Sequence, residues 1–326
     1  MASIVYLTDR KMIEYHRLNG SRTMNFWRPT SSRRILEFHQ GDLLFFLSKG
    51  TERGITKEKG IVGYGRYQKS HSLPFKQMWK VYGTQNGYDQ ESELYDAIIK
   101  VSKNKQMPKS LSCLYLADIV YFQAPIYLSE IGVKISNMIE SYFYLDKDDS
   151  LATAKILNKA KDVGVDRWSA VINDQDMGVM TFEIDYCKHI IAEAIDRLGN
   201  IYSETEIKRA YKVCQIMMTE MTEQGINVEM IKGSHSTFAV ISNKKAEIYL
   251  PLVAAAKDLI NKIQLLIGHI TIMQAIINKK VTDYQLVVTI VVDAHLPAEY
   301  LELFKLAHVN YQIITDQTKI QEQIKE

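Results

Sequence analysis

Cysteine is scarce in this chain, with three copies in 326 residues. Cys113, Cys187 and Cys214 are widely spaced and odd in number. They spell neither a zinc pattern nor a disulfide framework, so a reducing cytoplasm is the expected location. The eight histidines form no HExxH and no H-x-E…C-x-x-C arrangement. That argues against a zinc hydrolase or a nucleobase deaminase. There is no Walker loop, no GxGxxG and no serine nucleophile elbow, so no nucleotide cofactor and no serine hydrolase are expected. No apolar run is read as a membrane span, and the N-terminus lacks the basic-then-apolar pattern of a signal peptide. No membrane partner is expected.

What is present is enough apolar mass for real cores. Hydrophobic residues make up 46% and charged residues 24%, and the length suits two domains. The net charge of +2 says little by itself; its distribution says more. Arg10, Lys11, Arg17, Arg22, Arg28, Arg33 and Arg34 stand against Glu14 alone within residues 10–34. Lys49, Arg53, Lys57, Lys59, Arg66, Lys69, Lys76 and Lys80 follow. Aromatic residues lie between these charges, which is the composition of a nucleic-acid face. The plainer alternative is a solvated basic surface.

Short apolar or alternating runs dominate residues 1–125. Strands are expected at Ser3–Thr8, Asp42–Ser48, Gly60–Tyr67, Met78–Tyr82 and Leu114–Val120. Gly63-Tyr64-Gly65 inside a strand pattern signals a bulge or a close backbone approach. Together these predict a mostly β domain, a small barrel. Three motifs then stand in order: Phe26-Trp27-Arg28-Pro29, Gly41-Asp42-Leu43-Leu44-Phe45-Phe46 and Gly60-Ile61-Val62-Gly63-Tyr64-Gly65. In this respect residues 1–145 resemble the PUA-like superfamily, particularly its EVE-type members. The resemblance implies a pocket that accepts a flipped or modified base. Such a pocket needs flat rings to stack on and polar groups to read an edge. Trp27, Tyr64 and Tyr67 are candidates for stacking, and Asn25, Asp42 and Ser48 for hydrogen bonding. Arg28, Arg33 and Arg34 are candidates for flanking phosphates. For each aromatic taken singly, packing is the better explanation; their coincidence with the arginines favours a site.

Residues 148–163 pattern as an amphipathic helix closed by Gly164, and residues 146–180 read as a helical connector. The polar run Asn173-Asp174-Gln175-Asp176 is the expected boundary. Residues 181–326 form the second domain. There Ser203 and Glu206 make a capping box for a helix that ends at Gly225. Strands are expected at Val228–Ile231, Thr237–Ser242 and Ala246–Val253. A long apolar helix follows from Ala254 to Ile277, then a strand Leu286–Val292, a helix from Pro297 and a strand at Tyr311–Thr315.

This αβββαβ order resembles the PD-(D/E)XK restriction-endonuclease-like fold. The expected fold class is therefore α+β and α/β, a PUA-like β-barrel domain joined to a PD-(D/E)XK-like domain. The second resemblance implies carboxylates that bind Mg²⁺, which activates water and stabilises the phosphate transition state. It places the catalytic lysine at Lys257 and a helper at Gln264. The metal-binding acids would fall at positions 239 and 255, where this chain has Ala239 and Ala255. Three explanations stay open. The alignment is shifted and Glu247 or Glu229 are the ligands; the domain is naturally inactive; or acids were replaced by alanine. Glu220 and Glu223 could supply a further ligand, though a solvated helix end is the better explanation for them. The functional expectation is a Mg²⁺-dependent restriction or defence endonuclease acting on double-stranded DNA as a homodimer. The alternative is a non-catalytic DNA- or RNA-binding protein on a degenerate nuclease scaffold.

Overall fold

A computed structural model describes residues 3–29, 35, 37–102, 104–133, 142–147, 149–171, 177–231, 234, 236–242 and 244–314. The architecture is mixed α and β with two sheets. The chain divides into two compact units, Met1–Glu183 and Ile184–Glu326.

The first unit opens with β1 (Ile4–Thr8), α1 (Arg10–Leu18) and β2 (Met24–Arg28). The strands β3 (Leu43–Arg53) and β4 (Glu58–Leu73) follow, then α2 (Phe75–Tyr82), α3 (Glu91–Val101) and β5 (Leu111–Ile126). It continues with β6 (Tyr142–Tyr144), α4 (Ala152–Val163) and α5 (Arg167–Val171). The six strands pair in the order β2-β5-β4-β3-β1-β6. β1 runs parallel to β3, and the remaining pairs are antiparallel. Among the described residues the outer strands β2 and β6 do not pair with each other, so their hydrogen bonds do not close this sheet into a barrel. Side chains cross the sheet instead: Phe26 of β2 stacks on Phe46 of β3, three strand positions away, with ring centroids 6.4 Å apart.

Three expectations need correction here. Met78–Tyr82 is part of a helix, because Phe75, Met78 and Tyr82 fall on one buried face at helical spacing. A five-residue run also fits strand alternation, and Pro74, at the N-cap, decides the matter. The strands around Gly63 are longer than expected, but the irregularity is where the glycines predict it, with register shifts at Ile61/Gly63 and Tyr64/Arg66. A Cβ on Gly63 would stand 2.3 Å from the Val120 carbonyl oxygen, so only glycine lets β4 and β5 approach there. Finally, the segment read as a connector is built into the first unit. The Gln123 N–H donates to the Gly164 carbonyl at 2.8 Å, and the Asp166 N–H to that of Tyr121 at 2.8 Å. The run 173–176 lies outside the described residues.

Helix α6 (Met177–Leu198) crosses the division between the units. The second unit continues with α7 (Glu204–Glu223), β7 (Glu229–Met230), β8 (Phe238–Ser242) and β9 (Lys245–Leu252). Then come α8 (Leu259–Lys280), β10 (Gln285–Val292), α9 (Ala298–Leu306) and β11 (Asn310–Ile313). The sheet order is β11-β10-β9-β8-β7, with β9, β10 and β11 parallel and the other pairs antiparallel. The helix and strand order is the one the sequence predicts. At the start of α7, Glu206 accepts the Ser203 backbone N–H at 2.8 Å, and at its end Gly225 adopts φ +79°. Val213, Cys214 and Met217 of α7 pack on Phe238, Tyr249 and Val291. Strand alternation turns Leu250 and Ile290 away from α7.

Helix α8 starts five residues later than expected. Residues 254–258 form turns instead, and Asp258 has φ +52°. By length and composition α8 would suffice to cross a membrane, contrary to the expectation of no such run. In this unit its stripe of Ile263, Leu266, Ile270, Met273 and Ile277 is buried.

Candidate nucleic-acid interface

Neighbouring residues on a strand point to opposite faces, and this separates Trp27 from Arg28. Trp27 faces the segment after α2, where its indole N–H donates to the Asn86 carbonyl at 3.1 Å. Asn25, on the same face, donates to Asn86 Oδ1 at 2.7 Å. Both are buried and structural. Arg28 turns the other way. Its Nη2 donates to Ser112 Oγ at 2.8 Å, and its guanidinium sits 5.8 Å from the Tyr6 ring centroid.

Tyr6 belongs to an aromatic ladder along the sheet edge. β6 pairs antiparallel with β1, which sets Tyr142 opposite Tyr6 and Tyr144 opposite Ile4. The Tyr6 and Tyr142 rings stack at 5.9 Å and 14°, and Tyr144 meets Tyr142 edge-on at 5.8 Å. All three tyrosines are half-buried, so each keeps part of its surface in solvent. Burial raises the Tyr6 hydroxyl above its usual pKa, and the nearby Arg28 charge opposes part of that rise. The hydroxyl stays protonated at neutral pH and able to donate.

The basic character of the first unit is less open than its composition implies. Arg10 pairs with Glu14, Lys11 with Glu93, Arg17 with Asp166, Arg53 with Glu58 and Glu130, and Arg66 with Asp118. A second strip is different. Lys69 of β4 lies 5.6 Å over the Tyr115 ring of β5, and Tyr115 stacks on Tyr82 of α2 at 6.0 Å. Lys76 and Lys80 stand four residues apart on the exposed side of α2. Among the described residues, these three lysines form no ion pair with a carboxylate.

The other expected contacts fall elsewhere. Tyr64 is completely buried between Phe45 and Phe122, with no ring face for a base. Tyr67 is half-buried against Phe38 at 4.7 Å. Asp42 accepts the His39 backbone N–H at 2.7 Å and fixes a turn, and the Ser48 hydroxyl is spent on the Lys49 carbonyl. Arg33 and Arg34 lie outside the described residues. Tyr142 and Tyr144 were missed, although Tyr142-Phe143-Tyr144 has the two-residue period of a strand.

In the second unit the expected metal site does not assemble. Ala239 is buried in β8 opposite Ile248. Leu252 lies four residues further along β9, about 13 Å at the rise of an extended strand. The Ala254 N–H is then held by Asp293 Oδ1 at 2.6 Å, which keeps Ala255 beyond the strand end, exposed in a turn. Carboxylates at 239 and 255 would stand too far apart to share one ion. Lys257 and Gln264 are both exposed, one in the turn and one on α8. Glu229 is engaged by Lys188 at 2.6 Å. Glu247 pairs with Lys245 and accepts the Tyr249 hydroxyl at 2.9 Å. Glu220 is half-buried and Glu223 exposed near the end of α7. Among the described residues no group of three or more His, Cys, Asp or Glu converges to hold a metal. The described residues at these positions do not fit Mg²⁺.

No protein-family model matches the chain, and no curated protein matches it. Among solved structures it is similar to ASCH from Zymomonas mobilis, at 14% identity and a TM-score of 0.34, over 48% of this chain and 93% of that one. A tyrosine-to-phenylalanine mutant of the same protein matches at 14% identity and a TM-score of 0.33, over 47% and 97%. A serine-to-alanine mutant matches at 12% and 0.34, over 47% and 95%.

Proposed function

We propose that this chain is a non-catalytic double-stranded DNA-binding protein. Its first unit is a PUA-like reader, and its second is a PD-(D/E)XK-like scaffold without metal-binding acids. The observation that carries this reading is the ladder of half-buried Tyr6, Tyr142 and Tyr144 at a sheet edge, with the buried Arg28 guanidinium beside the Tyr6 ring. Half-exposed rings offer stacking surface to an unstacked base, and Arg28, buried and bonded to Ser112, holds the Tyr6 ring in place. The strip of Lys69, Lys76 and Lys80 supplies charge for the phosphate backbone. The element order of the second unit supports the scaffold, and the separation of positions 239 and 255 supports loss of cleavage.

The test uses a duplex with 2-aminopurine, whose fluorescence rises when it leaves the stack. The parent protein is expected to raise that fluorescence. The Tyr142→Ala/Tyr144→Ala variant should lose the rise and bind roughly 5- to 150-fold more weakly, from about 1–3 kcal/mol for one unstacked base. Equal signals from parent and folded variant would overturn the reader. Preference for an RNA duplex over DNA of the same sequence would overturn the choice of DNA.

A further inference from the structure

The second unit contains a cavity of about 330 Å³, within the range of small-molecule sites. It lies among the end of α6 and the loop after it, Ser234, Ser236 and Thr237 ahead of β8, the end of β9, and one face of α8. Its walls are fixed before any ligand arrives. The Tyr202 hydroxyl donates to the Pro251 carbonyl at 2.5 Å. Ser234 Oγ accepts the Ser236 and Thr237 N–H groups at 3.2 and 2.8 Å. Asn200 is turned back on Tyr202, giving and accepting one bond each.

The lining mixes apolar and polar groups: Ile195, Leu250, Leu266 and Met273 with Asp196, Ser236, Thr237 and His269. Among the described residues, the Asp196 carboxylate, the Ser236 and Thr237 hydroxyls and the His269 ring make no hydrogen bond. Burial lowers the His269 pKa, so its ring is neutral at pH 7 and offers an acceptor nitrogen. No described lysine or arginine lines the cavity. The nearby Lys262 is held by Glu206 at 2.5 Å and lies over the Tyr202 ring. Among the described residues an anion finds no counter-charge here, whereas an ammonium group finds a carboxylate, an imidazole nitrogen and hydroxyl oxygens.

We infer that this cavity binds a small organic cation, an amine with an aromatic or aliphatic body, with its charge at Asp196 and its body against Leu250, Leu266 and Met273. Asp196, Gly199 and Asn200 are exposed, so the rim is open to solvent.

A charge series on one ring system tests this by calorimetry on the full chain: tryptamine (cation), N-acetyltryptamine (neutral) and indole-3-propionate (anion). Tryptamine is expected to bind at least about 10-fold more tightly than indole-3-propionate, with N-acetyltryptamine between them. Asp196→Asn, at an exposed position, should abolish the preference for tryptamine over N-acetyltryptamine. Leu266→Trp should fill the space and weaken all three; if that variant does not fold, Asp196→Asn still decides. Indole-3-propionate binding as well as tryptamine, an unchanged preference in Asp196→Asn, or no binding of any probe at millimolar concentration would overturn the inference. None of these outcomes bears on DNA binding by the first unit.

Discussion

Tyr6 of β1 and Phe26 of β2 are separated by three intervening strands in the sheet, yet their rings meet edge to face with centroids 4.9 Å apart. In a flat sheet those strands would lie roughly 19 Å apart, at about 4.8 Å per strand. The sheet is therefore coiled until β2 and β1 meet through side chains. That coil brings Arg28, at the end of β2, to the ladder of Tyr6, Tyr142 and Tyr144.

The coil depends on close approach of β4 to β5 at two glycines, and their substitutions should differ. A Cβ at Gly63 would meet the Val120 carbonyl oxygen at 2.3 Å, whereas one at Gly65 would meet the Ile119 Cδ1 methyl at 2.5 Å. Backbone cannot move without breaking the strand pair, but a side-chain tip can rotate. Gly63→Ala should therefore cost more than about 2 kcal/mol and Gly65→Ala about 1 kcal/mol in chemical denaturation. Equal costs would mean that the strand pair is looser than described.

The first unit should lose stability in mild acid through His16. This side chain is fully buried, with Nδ1 3.0 Å from Ser21 Oγ. Burial lowers its pKa to about 4, and a hydrogen bond with the Gln85 backbone opposes only part of the fall. The folded pKa lies below the unfolded one, so the unfolded chain binds the proton more readily. The His16 contribution is complete above about pH 6.5 and is lost as the pH falls toward 4. A loss on the order of 2 kcal/mol is expected between pH 7.5 and 5. His16→Gln should be less stable at pH 7.5 but show a flatter pH profile; an unchanged slope would assign the acid sensitivity elsewhere.

Placing acids at the two alanines should not create a nuclease. Ala239 is buried in the sheet and Ala255 is exposed beyond a strand end. Ala239→Asp/Ala255→Glu is expected to destabilise the second unit, because a carboxylate at 239 enters an apolar layer. It should show neither Mg²⁺-dependent cleavage of duplex DNA nor a Mg²⁺-dependent rise in Tm. Discrete fragments from this variant would restore the catalytic reading.

Patterns that repeat over several turns or strands were legible in the sequence. The second unit's order of helices and strands follows from periodicity, and Ser203 with Glu206 marks the start of α7 because a cap is a local device. Met78–Tyr82 was misread because five residues satisfy both periods, and the helix is fixed by Phe75 and by burial under tertiary packing. Residues 254–258 look helical by composition, but Asp293, 39 residues downstream of Ala254, captures the Ala254 N–H and delays the helix. The candidate site was legible in part. Arg28 stood out, but its partners Tyr6 and Ser112 come from strands distant in sequence. Trp27 and Tyr64 have the right chemistry for stacking and the wrong facing, which only strand register decides.

The most direct test is the salt dependence of binding to a labelled DNA duplex, measured by fluorescence anisotropy for the parent and for Lys69→Ala/Lys76→Ala/Lys80→Ala. Each phosphate contact contributes about 0.9 to the slope of log K against log salt. The parent is expected to bind with a steep slope, and the triple variant, equally folded, should bind more weakly with the slope reduced by about 2 to 3. An unchanged slope in the variant, or no binding by the parent at low salt, would contradict a DNA-binding surface on the first unit.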